Sequence, residues 1–239
     1  MFFLKKRTLY NIVFSLALIF SVSSYLLPNQ KTDSTVFAPI TAGKTIIIDA
    51  GHGYPDGGAV AEDGTLEKDI NLEIAKKLGP FFAQSGANVI YTREDDNAVA
   101  KPGDKKIREI KREDLKNRRD ILNSGEGDIF LSIHMNKFEE TKYSGAQVFY
   151  DGNNEESREL AKLVQSYLKK FVDKTNTREA KDANNSVFIM RNSRTPCVLI
   201  ECGFLSNKKE LEKLKNEKYQ KDLSYAIFCA VTEYIQNRM

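Results

Sequence analysis

Short apolar runs punctuate the chain, and between them apolar residues recur every three or four positions. The first run, Ile46-Ile47-Ile48, leads through Asp49-Ala50 into a glycine-flanked histidine, Gly51-His52-Gly53. A continuous run of this kind predicts a strand in a sheet covered on both faces. Further strands are expected at Asn88–Thr92, Asp128–Ile133, Gly145–Tyr150, Val187–Met190 and Cys197–Glu201. A helical period begins at about Leu66, with Ile70, Ile74, Leu78 and Phe81 on one face, Thr65 as the N-cap and Ser85-Gly86 as the stop. More helix is expected at Leu115–Asn123, at Glu155–Phe171 with Leu160, Leu163, Val164 and Leu168 on its face, and at Lys208–Leu214 and Glu217–Gln236. The segments 53–59 and 173–185 are rich in turn formers or polar residues and read as loops. Strands alternating with helices imply an α/β fold. The expectation is one domain with an open, largely parallel sheet of about six strands and helices on both faces.

The N-terminus breaks this pattern. Lys5-Lys6-Arg7 precede an apolar stretch from Leu9 to Leu27, long enough to span a bilayer, and the basic residues place the rest of the chain outside. A cleavable signal peptide ending near Ser21-Val22-Ser23 fits equally, and both readings mean export, anchored to the membrane or released to the cell wall. The expected organisation is therefore a signal or anchor at 1–27, a polar tether at 28–43 and a folded domain at 44–239.

Composition narrows the function classes. Of 239 residues, 41% are hydrophobic and 29% charged, as in ordinary globular proteins. A net charge of +3, with no glycine-rich phosphate loop and no RNA-binding aromatic pattern, gives no reason to expect a nucleic-acid partner. The three cysteines, Cys197, Cys202 and Cys229, have no C-x-x-C spacing; Cys197 and Cys202 fall on opposite faces of one strand and read as buried thiols. Charge concentrates between Lys101 and Arg119, with nine Lys or Arg against four Asp or Glu, a net of +5. This stretch reads as a solvated helix with its approach loop, or as a basic rim for an anionic polymer or a partner protein.

The chain has only two histidines. His52 and His134 each end a predicted strand, as does Glu201, while Glu67 opens the helix that returns to the edge where the first strand ends. Ligands of open α/β sheets bind at that edge. Two imidazoles and a carboxylate make a zinc site with an open position. A second carboxylate must then take a proton from water and pass it to a leaving amine, and Glu201 is the candidate. Each histidine could instead be a satisfied core residue, and Glu201 could be neutralised by an arginine. Asp49 could orient His52 or cap the turn. Asn136, two residues past His134, could bond a substrate amide. Glu94, Asp95 and Asp96 read as surface loop residues.

The residues that carry this site also carry a family resemblance. Ile48-Asp49-Ala50-Gly51-His52-Gly53, Glu67-Lys68-Asp69, Thr92-Arg93, Arg118 through Asn123, Ser132-Ile133-His134-Met135-Asn136 and Val198 through Asn207 resemble, in order, the motifs of zinc-dependent N-acetylmuramoyl-L-alanine amidases over about residues 45–235. The resemblance implies zinc on His52, Glu67 and His134, with Glu201 as the acid/base, and cleavage between the lactyl group of N-acetylmuramic acid and L-alanine of the stem peptide. Two features depart from the family pattern. The segment from about Ala98 to Asp114 is longer and more basic, and no repeated wall-binding module accompanies the motifs. The short, membrane-led design is similar to germination-specific amidases of endospore formers, which act on cortex peptidoglycan towards muramic-δ-lactam. A partner protein for targeting or activation is then expected. The competing expectations are a zinc peptidase cutting within the stem peptide and a wall-binding protein without turnover.

Overall fold

Ile46 to Ala50 are all buried because β1 (Thr45–Ala50) lies inside a sheet that is covered above and below. The computed structural model describes residues 39–101, 103 and 105–239; the expected signal or anchor at 1–27 and most of the expected tether lie outside these. Residues 39–43 form turns, and Thr41, fully buried, donates its hydroxyl to the Ser85 carbonyl.

The other strands are β2 (Asn88–Tyr91), β3 (Ile129–Asn136), β4 (Gln147–Tyr150), β5 (Lys181–Asp182) and β6 (Cys197–Phe204). They make one six-stranded sheet in the order β2-β1-β3-β6-β4-β5, parallel except where β4 meets β6. The helices are α1 (Glu67–Gln84), α2 (Ile107–Leu122), α3 (Glu155–Phe171), α4 (Lys208–Leu214) and α5 (Glu217–Gln236). Among the described residues no helix is long and apolar enough to cross a membrane.

Alternation along the strands sorts the core into two layers. Ile46, Ile48, Ala50, Leu131, Ile133, Val198 and Ile200 pack with residues of α1, α3 and α5. Ile47, Phe130, Cys197 and Leu199 pack on the other side with Leu122 of α2 and with Ile189 and Met190. Helices thus cover both faces, as expected, but α1, α3, α4 and α5 lie on one side and α2 on the other. Cys197 and Cys202 fall in different layers, each buried as a free thiol.

Local differences from the sequence reading have local causes. The run 187–190 is a 3-10 turn, Phe188–Met190, since four apolar residues carry too little period to separate the two conformations. Helix α2 begins at Ile107, eight residues before the expected start, and β3 continues through Asn136. The N-cap of α1 is Leu66, not Thr65, and no side chain caps it. Loop carbonyls satisfy the first amides instead: Glu67 N–H donates to Ala59 O at 2.9 Å and Lys68 N–H to Gly57 O at 3.2 Å. This capping by the 53–59 loop ties the start of α1 to the chain leaving β1.

Candidate active site

The strand ends deliver the side chains to one edge. β1, β3 and β6 run parallel and adjacent, with Ala50 beside Ile133 and His134 beside Glu201. Glu67, in the first turn of α1, reaches between the histidines. Its Oε1 lies 2.9 Å from His134 Nδ1 and its Oε2 3.2 Å from His52 Nε2. The two imidazoles stand edge to face, 5.0 Å between centroids. The three residues can each offer one ligand atom within 4.8 Å of the others, so they could hold a metal ion.

Backbone amides hold the carboxylate in place. Ala59 N–H donates to Glu67 Oε2 at 2.8 Å and Met135 N–H to Oε1 at 3.1 Å. Burial opposes ionisation of Glu67, but the hydrogen bonds from the two imidazoles hold its carboxyl well below the usual range. His52 Nδ1 donates to Asp56 Oδ2 at 2.9 Å, which leaves Nε2 pointing at Glu67. Burial pushes His52 down, yet Asp56 and Glu67 together carry it up to about 9. Asp56 in turn accepts from Gly58 N–H and pairs with Lys111 of α2 at 2.7 Å.

Two glycines make room for this cluster. A Cβ on Gly51 would lie 2.2 Å from His134 Nε2, and one on Gly58, at φ +70°, would lie 2.6 Å from Glu67 Oε2. His52 itself has φ +63°, a left-handed conformation that costs a non-glycine residue roughly 1–2 kcal/mol. Buried cations hold it there. Arg118 donates to the carbonyls of Ala50, at 2.8 Å, and His52. Arg93 donates to Ala50 O at 2.8 Å and Gly51 O at 3.1 Å, and Asn71 Nδ2 to Gly51 O at 3.0 Å. The three carbonyls that leave the sheet after β1 are thereby all satisfied.

Asp49 neither orients His52 directly nor caps the turn. It is fully buried and accepts from Thr92 Oγ1 at 2.7 Å, Ser132 Oγ at 2.6 Å and the Arg118 guanidinium. Burial opposes its charge, but Arg118 and the two hydroxyls outweigh burial and lower its pKa. Arg118 is completed by Asp114 Oδ2 at 2.7 Å. The charged segment is thus more than a solvated face: its row Ile110, Asp114, Arg118, Leu122 is buried.

Glu201 lies beside His134 across the β3–β6 ladder, and its Oε2 is buried with no hydrogen-bond partner among the described residues. Among the described residues no arginine neutralises it. Burial pushes its carboxyl up to about 7, with the Glu67 charge adding and the two imidazoles subtracting. Asn136 is half-buried on the same strand as His134. Glu94, Asp95 and Asp96 are exposed, as expected, with Asp96 pairing to Lys68.

Sequence reasoning missed Asp56, Asn71 and Lys111 as neighbours of the site, and gave Arg93 and Arg118 no role. An acid four residues after His52 in a tight turn was the available signal for Asp56. None existed for Lys111, which comes from a helix on the far side of the sheet.

A family model described as N-acetylmuramoyl-L-alanine amidase matches residues 46–233. The germination-specific N-acetylmuramoyl-L-alanine amidase of Bacillus subtilis is 37% identical over 94% of this chain and 94% of its own. Among solved structures, the CwlD amidase of Clostridioides difficile in complex with the GerS lipoprotein superposes with TM-score 0.77 at 45% identity, covering 81% of this chain and 99% of that one. The catalytic domain of the amidase CwlV from Bacillus (Paenibacillus) polymyxa superposes with TM-score 0.67 at 28% identity, covering 81% of this chain and 98% of its own.

Proposed function

The chain belongs to the family of N-acetylmuramoyl-L-alanine amidases, and from that membership we propose that it is a zinc-dependent hydrolase of spore-cortex peptidoglycan. It cuts between the lactyl group of N-acetylmuramic acid and L-alanine of the stem peptide, on the way to muramic-δ-lactam. The observation that carries this reading is the cluster of His52 Nε2, Glu67 and His134 Nδ1 beside the unpartnered carboxylate of Glu201. The germination-specific relative supports the cortex as the setting.

His52, Glu67 and His134 would hold the ion, and their types suit zinc. When bound, zinc supplies positive charge that polarises the scissile carbonyl and brings a water within reach of deprotonation near neutral pH. Glu201 takes a proton from the attacking water as the oxygen adds to the carbonyl carbon. It then gives that proton to the L-alanine nitrogen as the carbon–nitrogen bond breaks. A carboxylate can accept the proton from water and, once protonated, donate it to the nitrogen, so one group serves both directions. Asp56 keeps the His52 ring in the tautomer that presents Nε2. Asn136 would bond a substrate amide. The apolar stretch after Lys5-Lys6-Arg7 supports export, with the domain 44–239 facing outward at the membrane or released to the wall or cortex. The complex of the C. difficile amidase with a lipoprotein supports a targeting or activating partner protein here too.

Mass analysis of fragments released from cortex and vegetative peptidoglycan tests the reading. The expected products are intact glycan and peptides beginning with L-alanine; muramyl-linked peptide stubs would indicate a peptidase instead. Chelation should abolish release and added zinc restore it. His134→Ala should lose both metal and activity, and stoichiometric zinc in that variant would overturn the ligand set.

Zinc uptake should also depend on pH. In the metal-free fold His52 keeps its second ring proton up to about pH 9, and ligation requires its loss. Affinity should therefore rise about tenfold per pH unit between roughly 7 and 9 from this group. Calorimetry in buffers of different ionisation enthalpy would detect the released proton; Asp56→Asn should weaken the dependence, and pH-independent uptake would contradict it.

A further inference from the structure

The outer face of α2 presents two parallel i,i+4 rows. Arg108, Arg112 and Lys116 form one row, all exposed and with no carboxylate partner among the described residues. Ile107, Lys111 and Leu115 form the other; Ile107 is 55% and Leu115 42% exposed. Together with Phe188 of the 3-10 turn, this face, Ile107 excepted, lines a groove of about 890 Å³ whose walls carry five Lys or Arg against two Glu. One lining residue, Lys111, reaches the active site. Lys111 pairs with Asp56, and Asp56 holds His52.

We propose that this groove binds the carboxylate-bearing peptide of the substrate, with Arg108, Arg112 and Lys116 pairing to its carboxylates and Leu115 and Phe188 packing on its aliphatic parts. The proposal rests on the amidase reading, in which the scissile amide at the metal cluster joins a neutral sugar to a peptide. Three observations favour the peptide as occupant. The net charge of the lining, five cations less two acids or +3, complements an anionic peptide and offers nothing specific to an uncharged glycan. Arg108 to Lys116 spans eight helical steps, about 12 Å, the length of about four residues of extended peptide. The groove starts two hydrogen bonds from a candidate ligand, so a peptide leaving the site along α2 meets the row at once. Exposed pairs of this kind are individually weak and add up only in a row, which matches a peptide bearing several carboxylates better than a single small anion.

The test uses the full chain loaded with zinc, as wild type and as an Arg108→Gln/Arg112→Gln/Lys116→Gln triple variant. Each is assayed on sacculi as isolated and on sacculi whose carboxylates have been chemically amidated. Amidation should raise the wild-type KM about 10-fold, with the effect shrinking at about 0.5 M salt. The triple variant should show the raised KM on untreated sacculi, an unchanged kcat and no further response to amidation. A wild-type KM in the triple variant, or an undiminished amidation effect in it, would overturn the proposal and leave the face to an acidic protein or an anionic lipid surface. If the wild type releases no L-alanine-led peptides, the amidase reading fails on its own. Co-sedimentation with the same sacculi then decides the groove: retention lost on amidation and in the triple variant supports it, and equal retention overturns it.

Discussion

Glu201→Gln is expected to bind zinc with the wild-type stoichiometry and to release L-alanine-led peptides about 10²–10⁴-fold more slowly. Glutamine keeps the volume and the polar end but can neither take a proton from water nor return one to the leaving amine. The strand context adds a second, independent readout. The Glu201 carboxylate is buried beside His134 with no partner for Oε2, and its carboxyl moves from an ordinary 4.5 to about 7. An acid with a raised folded-state pKa loses stability as pH rises from its unfolded to its folded value. Metal-free wild type should therefore lose on the order of 2–3 kcal/mol between pH 5 and 8 from this group, and Glu201→Gln should not. Denaturant titrations of both metal-free proteins at the two pH values measure the difference. Loss of turnover with gain of stability at pH 8 is the signature of a group kept for chemistry. A Glu201→Gln enzyme with wild-type kcat would sink the mechanism.

Arg118→Met should act in the opposite direction, on the fold. Arg118 is 2% exposed and bonds Asp49, Asp114 and the carbonyls of Ala50 and His52. Methionine fills much of the space but leaves the Asp49 charge buried with two hydroxyls as its remaining donors. Breaking a buried pair from one side costs about 3–5 kcal/mol, a large share of the about 5–15 kcal/mol that holds a domain together. The His52 carbonyl also loses its donor, so the left-handed residue is no longer held and zinc affinity should fall with stability. Urea denaturation should show the midpoint falling sharply, and Asp49→Asn combined with Arg118→Met should recover part of the loss. Arg118→Lys should recover little, since one ammonium cannot serve acceptors spread around a planar fork. A variant within 1 kcal/mol of wild type would mean that solvent or another cation replaces the guanidinium.

The same helix marks where the sequence stopped being informative. The row Ile110, Asp114, Arg118, Leu122 is buried, but a helical period with charges at its two middle positions reads as a surface face, and the reading placed the helix start at Leu115. The neutralising partner, Asp49, lies on β1, 69 residues away, and no local rule pairs the two. Asp56 was hidden differently: a turn rich in Pro, Asp and Gly explains an aspartate without any histidine. Thr65 failed as a cap because a loop carbonyl took the amide that a hydroxyl would otherwise have accepted.

What the sequence determined by itself was most of the elements; it read β5 as loop and the 3-10 turn as a strand, and it ended β3 and β6 short. Burial on both faces forces unbroken apolar runs, and the helical faces repeat every three or four residues, so the α/β layers and the edge bearing His52, His134 and Glu201 were legible. The return of Glu67 to that edge followed from a strand–loop–helix unit alone. Tertiary structure decided what sequence period cannot encode. It set the strand order that puts His134 beside Glu201 and the glycine clearances at positions 51 and 58. It also set the guanidinium clamp on the chain leaving β1 and the swing of Lys111 onto Asp56. Each depends on groups far apart in the chain meeting at hydrogen-bond distance, and only the packed sheet with α2 across its second face brings them within reach.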